Sequence, residues 1–118
     1  MVFCYTMHKI IKKEVKNMLV TLVQRYIKGL ERDWNKHGTS INKMWVTKEG
    51  KRYIKISSGY IEEGKLVSQS VDAFVDKNTG DVYKPASWNA PAKGVRYNLF
   101  DDIDYLENNC GSGHLYMK

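Results

Sequence analysis

Residues Val71–Phe100 read V-D-A-F-V-D-K-N-T-G-D-V-Y-K-P-A-S-W-N-A-P-A-K-G-V-R-Y-N-L-F. Their first half is a β-hairpin, and that hairpin decides the fold. Its leading strand, Lys65 to Asp76, alternates. Val67, Val71, Ala73 and Val75 fall on one face, and Leu66, Ser68, Ser70, Asp72 and Phe74 on the other. Lys77-Asn78-Thr79-Gly80 reverses the chain into a strand from Asp81 to Lys84. Asn and Gly tolerate left-handed backbone there, and the Asp76 carboxylate is placed to accept the turn amides. Pro85 has no N–H to donate, so it ends that strand or sets it at an edge. Residues 85–100 are too irregular for strand or helix, and too rich in Trp, Tyr, Lys and Arg for a plain connector. A loop of that kind beside a rigid sheet is a candidate functional surface.

Upstream of the hairpin, Met44–Lys48 and Arg52–Ser58 flank Glu49-Gly50 and form a second hairpin. From Met7 to His37 the period changes. Ile11, Val15, Met18, Leu19, Leu22, Tyr26, Leu30 and Trp34 recur at spacings of three and four, the stripe of a helix. Gly38 is a C′ stop, and Lys36 and His37 suit the negative end of the dipole. Gly29 costs about 1 kcal/mol against Ala and marks a close contact or a bend. This helix is longer than a small sheet needs. Downstream, Asp101 to Asn108 forms a short helix with acidic residues in its first turn, and Leu115-Tyr116-Met117 ends an otherwise Gly-rich tail.

The chain has 118 residues, enough for one core and too few for two ordinary domains. No apolar run is long enough to span a bilayer, and the first residues lack the order of a signal peptide. Met7 is an alternative start, which would leave residues 1–6 as an extension. The net charge of +6 is divided unevenly. Residues 1–55 carry 13 Lys and Arg against 4 Asp and Glu, while residues 56–118 carry 6 against 9. Such a basic half attracts nucleic acid or an acidic partner, or serves as a solvated surface. Lys9, Lys12, Lys13 and Lys16 share one helix face, and Arg25, Lys28, Arg32 and Lys36 another.

Catalytic patterns are sparse. His8, His37 and His114 have no Ser or Cys in a nucleophile setting. Cys4 and Cys110 lie at opposite ends and read as free thiols, without a zinc-type spacing. Asp72 and Asp81 come from adjacent strands but suit turn-capping roles. D-K-N-T-G-D lacks the distal Glu of a calcium loop.

The segment from Gly80 to Asp101 resembles a family of small uncharacterised proteins encoded by tailed bacteriophages, marine ones especially. The shared pattern is a strand ending V-D-x-x-x-G-D-V-x-K, followed by A-S-W-x-x-P-A-K-x-x-R-x-N. Here it is supplied by Asp76, Gly80, Asp81, Val82, Lys84, Ala86, Ser87, Trp88, Pro91, Ala92, Lys93, Arg96 and Asn98. The resemblance covers roughly the last 45 residues and carries no activity with it. What it implies is a phage-type accessory protein working in a bacterial host cytoplasm.

The expected fold is α+β, a single domain over residues 1–118. A long N-terminal helix packs on a four-stranded antiparallel sheet, with a short C-terminal helix and a tail from 111 to 118. The expected function is non-enzymatic: a protein-binding module acting by self-association or on a host factor, without cofactor, metal or membrane. The alternative is single-stranded nucleic-acid binding by the loop 84–100. There Trp88, Tyr97 and Arg96 would stack bases, and Lys84 and Lys93 would meet phosphates.

Overall fold

A computed structural model describes residues 2–36, 42–111 and 114–116, with side chains from Glu14 onward. The element order is α1 (Val2–Lys36), β1 (Lys43–Glu49), β2 (Tyr53–Glu62), β3 (Lys65–Asp76), β4 (Asp81–Tyr83), β5 (Tyr97–Asn98) and α2 (Leu99–Leu106). The class is α+β, as expected. The strand count is corrected from four to five, in the order β1-β2-β3-β4-β5, every neighbouring pair antiparallel. The additional strand is only Tyr97–Asn98, pairing Val82↔Tyr97 and Asp81↔Asn98. Two residues leave no alternation to read in a sequence.

The turn 77–80 forms as its residues dictate. Asp76 Oδ1 accepts from Asn78 N–H (2.8 Å) and Thr79 N–H (3.3 Å), and Gly80 N–H returns to Asp76 O (2.9 Å). Gly80 has φ +79°, and a Cβ there would lie 2.6 Å from the Phe100 ring. Asn98 then ties this turn to α2. Its Oδ1 caps the helix by accepting from Phe100 N–H (2.9 Å) and Asp101 N–H (3.2 Å). Its Nδ2 donates to Thr79 O (2.8 Å) and Asp81 Oδ1 (2.9 Å), and its own N–H donates to Asp102 Oδ2 (2.7 Å). This cap starts α2 at Leu99, two residues before the expected position.

The simple alternation expected of β3 is interrupted. The β2–β3 register shifts at Ile56/Ser57 and again between Ser58 and Tyr60, where Ser68 adopts φ +52°. Asp72 is passed over at the first shift, and both Val71 and Asp72 line one cavity on the helix side. A bulge does this because an extra residue changes the face of those beyond it.

The core lies between the sheet and the two helices. α1 contributes Leu19, Val23, Tyr26 and Leu30, the sheet Ile56, Ala73, Val75 and Val82, and α2 Leu99, Ile103 and Leu106. Cys110 and Leu115 close it, so the tail docks. Each large aliphatic side chain buried this way contributes roughly 1.5–3 kcal/mol relative to exposure.

Gly29 is the point of close contact between α1 and the end of α2. A Cβ at 29 would lie 2.9 Å from the Glu107 carbonyl and 3.0 Å from Cys110 Sγ. Beside it Arg25 donates from Nε and Nη2 to Glu107 (3.1 and 2.8 Å) and from Nη2 to Asp104 (3.1 Å). The last turn of α1 is clasped to the sheet by Lys43, whose ammonium is 4.4 Å from the Trp34 ring, 5.2 Å from Trp45 and 5.8 Å from Tyr60. The expected stop at His37 and Gly38 lies outside the described residues.

Gly29→Ala is therefore expected to destabilise the fold by about 1–3 kcal/mol in urea melts. Helix propensity alone would make Ala the better residue by about 1 kcal/mol. A stabilised variant would refute the close contact.

Candidate functional site

The sheet offers two faces with different chemistry. On the helix side, Trp45, Thr47, Glu49 and Ile54 form one wall of an open groove of ≈ 780 Å³. Val15, Leu19, Val20, Val23 and Ile27 of α1 form the other. The groove is apolar in its depth and charged at one end. There Glu49 accepts from Lys77 Nζ (2.9 Å) and pairs more loosely with Lys16 (3.7 Å). These two partners hold the Glu49 carboxyl below the usual carboxylate range, the Lys77 hydrogen bond most of all.

A second, smaller cavity of ≈ 210 Å³ lies where α1, β1, β3 and the tail meet. Asp33, Asp72, Cys110 and His114 line it beside Trp34 and Trp45. His114 Nδ1 faces the Gly111 carbonyl (3.0 Å), which only accepts, so Nδ1 carries the proton. Nε2 is then the acceptor from the Tyr26 hydroxyl. Burial pushes the His114 pKa down and those of Asp72 and Cys110 up. Asp72 Oδ2 is buried without a hydrogen-bond partner among the described residues. Both His114 nitrogens are engaged, so the imidazole serves here as a hydrogen-bond link between α1 and the tail.

The opposite face of the sheet carries Tyr53, Lys55, Phe74 and Tyr83, with Tyr53 meeting Phe74 and Tyr83 edge to face. The 85–91 loop folds onto this face. It is closed by the Pro85↔Pro91 bridge and by Ala92 N–H to Lys84 O (2.8 Å). Lys55 Nζ donates to Trp88 O (3.2 Å) and sits 4.0 Å from the Trp88 ring centroid. Between this loop and the β1–β2 turn runs a cleft of ≈ 250 Å³. It is lined by Lys48, Lys51, Arg52, Tyr53, Lys55 and Asn89, with Phe74 at its floor.

The five binding residues expected from the sequence do not share one surface. Trp88 is 45% exposed on the outer loop, and Lys93 is exposed. Tyr97 is only 9% exposed, with the rings of Tyr105 (6.0 Å) and His114 (6.3 Å) nearly parallel to its own. Lys84 points toward the tail, its ammonium 5.1 Å from the Tyr116 ring. Arg96 is partly buried, and its N–H closes the loop onto Val82 O (2.8 Å). Trp88 is the member that the structure brings together with a different basic set, Lys48, Lys51, Arg52 and Lys55. A signal for that set existed: K-E-G-K-R-Y-I-K concentrates cations around one turn.

Compared with known proteins, residues 3–117 match a family described as a family of unknown function, DUF7717. No curated protein matches. No solved structure matches either. Among the described residues no helix is long and apolar enough to cross a membrane, and no cluster of three or more metal-ligating side chains occurs.

The His114 link makes stability depend on pH. Its folded pKa lies below the ordinary 6.5, so the unfolded chain takes up the proton first as pH falls. The contribution is complete above about pH 6.5 and is lost as pH drops through the folded value. Asp72 acts in the opposite sense. Its raised pKa favours the folded state at acid pH, and that advantage fades as pH rises through the raised value. The melting temperature should fall from pH 7 to pH 5, and His114→Gln should flatten that limb. Identical slopes in the two proteins would contradict the buried link.

Proposed function

The chain belongs to the DUF7717 family of unknown function, and we propose that it is a non-enzymatic, self-associating binding module. The observation that carries this reading is the exposed apolar surface of α1 beside the open groove. The helix has 35 residues, and among its described side chains the buried ones run only from Leu19 to Leu30. At 1.5 Å per residue it is about 52 Å long, and it sets the longest dimension of the molecule, 57 Å. A helical segment without tertiary contacts is marginal in water below about 12–15 residues, and only weakly stable just above that. Val15, Met18 and Val20 are 37%, 55% and 45% exposed along the same segment.

Val15 and Val20 belong to the α1 wall of the apolar groove. An exposed apolar wall and the groove it borders are what a two-fold interface requires, because each copy must offer both halves of the contact. A second copy laid antiparallel along α1 would cover Val15 and Val20 and fill the groove. The Lys16–Glu49 pair at its rim would then be exchanged between copies. A host-derived helix is the other occupant of the same shape. The bacteriophage resemblance of Gly80–Asp101 supports an accessory role in a host cytoplasm, where such small adaptors meet other proteins.

Sedimentation or light scattering at concentrations well above micromolar should give a dimer that dissociates on dilution. Val20→Glu, at an exposed position on the groove wall, should weaken it at least tenfold, about 1.4 kcal/mol, with an unchanged melting temperature at low concentration. A monomer at every concentration, or a dimer indifferent to Val20→Glu, would refute self-association through α1.

A further inference from the structure

We propose that the cleft between the β1–β2 turn and the 85–91 loop is a binding site for single-stranded nucleic acid, independent of the α1 surface. Four cations, Lys48, Lys51, Arg52 and Lys55, line it within one hairpin. Glu49 pairs with Lys77 and Lys16, and Asp76 is already committed. It accepts from two turn amides and from Arg52 Nε (3.3 Å), and its side chain is 5% exposed. Among the described residues neither Lys48 nor Lys51 has an acidic partner. The cleft is thus strongly positive, and Lys48 and Lys51 are exposed to meet phosphates.

What distinguishes it from a general basic surface is Trp88. The Lys55 ammonium takes the Trp88 carbonyl and lies against its ring, so the indole is held by a side chain of the cleft itself. Trp88 remains 45% exposed as a residue and offers a π-surface beside the lysines. A backbone-tracking row of cations next to an aromatic platform is the combination that single-strand binders use. Stacking on an aromatic contributes about 1–3 kcal/mol per base, tolerant of sequence. A duplex keeps its bases stacked on one another and cannot present one to Trp88, so the site selects an unpaired strand.

The test is fluorescence anisotropy of a labelled oligothymidylate of about 12 nucleotides, and of a duplex of equal length, with the full chain. Tighter binding of the single strand is expected, with log K falling against log[salt] at a slope of about −2 to −3 for three or four phosphate contacts. Lys48→Ala with Lys51→Ala should weaken binding at least tenfold at 50 mM salt and flatten the slope by about 1.4. Trp88→Ala should weaken the single strand alone, and Trp88→Phe should restore most of the loss. Lys28→Ala, on α1, should stay within about twofold, and thermal melts should show all variants folded. No binding at 50 mM salt, equal affinity for duplex, or equal losses from Lys28→Ala and the cleft variants would each overturn the site. None of these outcomes depends on Val20, so failure here is separate from failure of self-association.

Discussion

The contact on which the rest of the molecule depends is the approach of α2 to α1 at Gly29. Without a side chain at that position, the Glu107 carbonyl and Cys110 thiol come into direct contact with the long helix. Arg25 then spans to both Glu107 and Asp104. α1 comes closer to α2 than to the strands, on the flank where α2 and Leu115 pack. On that flank the gap is filled by Leu99, Ile103, Leu106 and Leu115. On the other flank nothing equivalent exists, and Trp45 and Ile54 face Val20, Val23 and Ile27 across an open groove. One close contact thus produces a well-packed side and an unfilled one.

The small strands depend on side chains rather than on length. β4 and β5 have three and two residues, too few to hold a sheet edge unaided. Asn98 gives them what length would otherwise supply, joining the 77–80 turn, Asp81 and the start of α2 through five hydrogen bonds. The 85–96 segment is consequently an ordered excursion between two anchored strands. Its position over Lys55 fixes Trp88 on the face away from the helices, where the hairpin cations also lie. Two surfaces of opposite character, one apolar and one cationic, therefore sit on opposite sides of a single sheet.

Much of this architecture was legible in the sequence, for identifiable reasons. The helical stripe through Leu19, Tyr26 and Leu30, the Asp76-capped turn and the limits of β3 follow from local periodicity and turn chemistry, although Val15 and Met18 of that stripe are exposed and Val23 is buried in their stead. Gly29 as a close contact and Leu115 as a docked residue were also readable from position and type. The fifth strand was not, since Tyr97–Asn98 exists only through its pairing with β4. Nor were the register shifts in β3, which bring Asp72 into the cavity with His114. The residues expected to bind in the 84–100 loop are dispersed by the fold, because Tyr97 is buried beside the Tyr105 and His114 rings and Lys84 turns to Tyr116. The cations that accompany Trp88 come from a hairpin more than thirty residues earlier, a juxtaposition set by tertiary structure alone.

The central claim is that the first half of α1 is completed by another polypeptide, in the first instance a second copy. Amide hydrogen exchange resolved along α1, compared between the native chain and Val20→Glu at the same high concentration, tests it most directly. The account predicts that Leu19–Leu30 stays protected in both proteins, because its cover is α2 and the sheet. Val2–Met18 should be protected in the native chain and exchange rapidly in the variant. Equal protection of Val2–Met18 in the two proteins would contradict the account, since the segment would then owe its order to nothing outside its own chain.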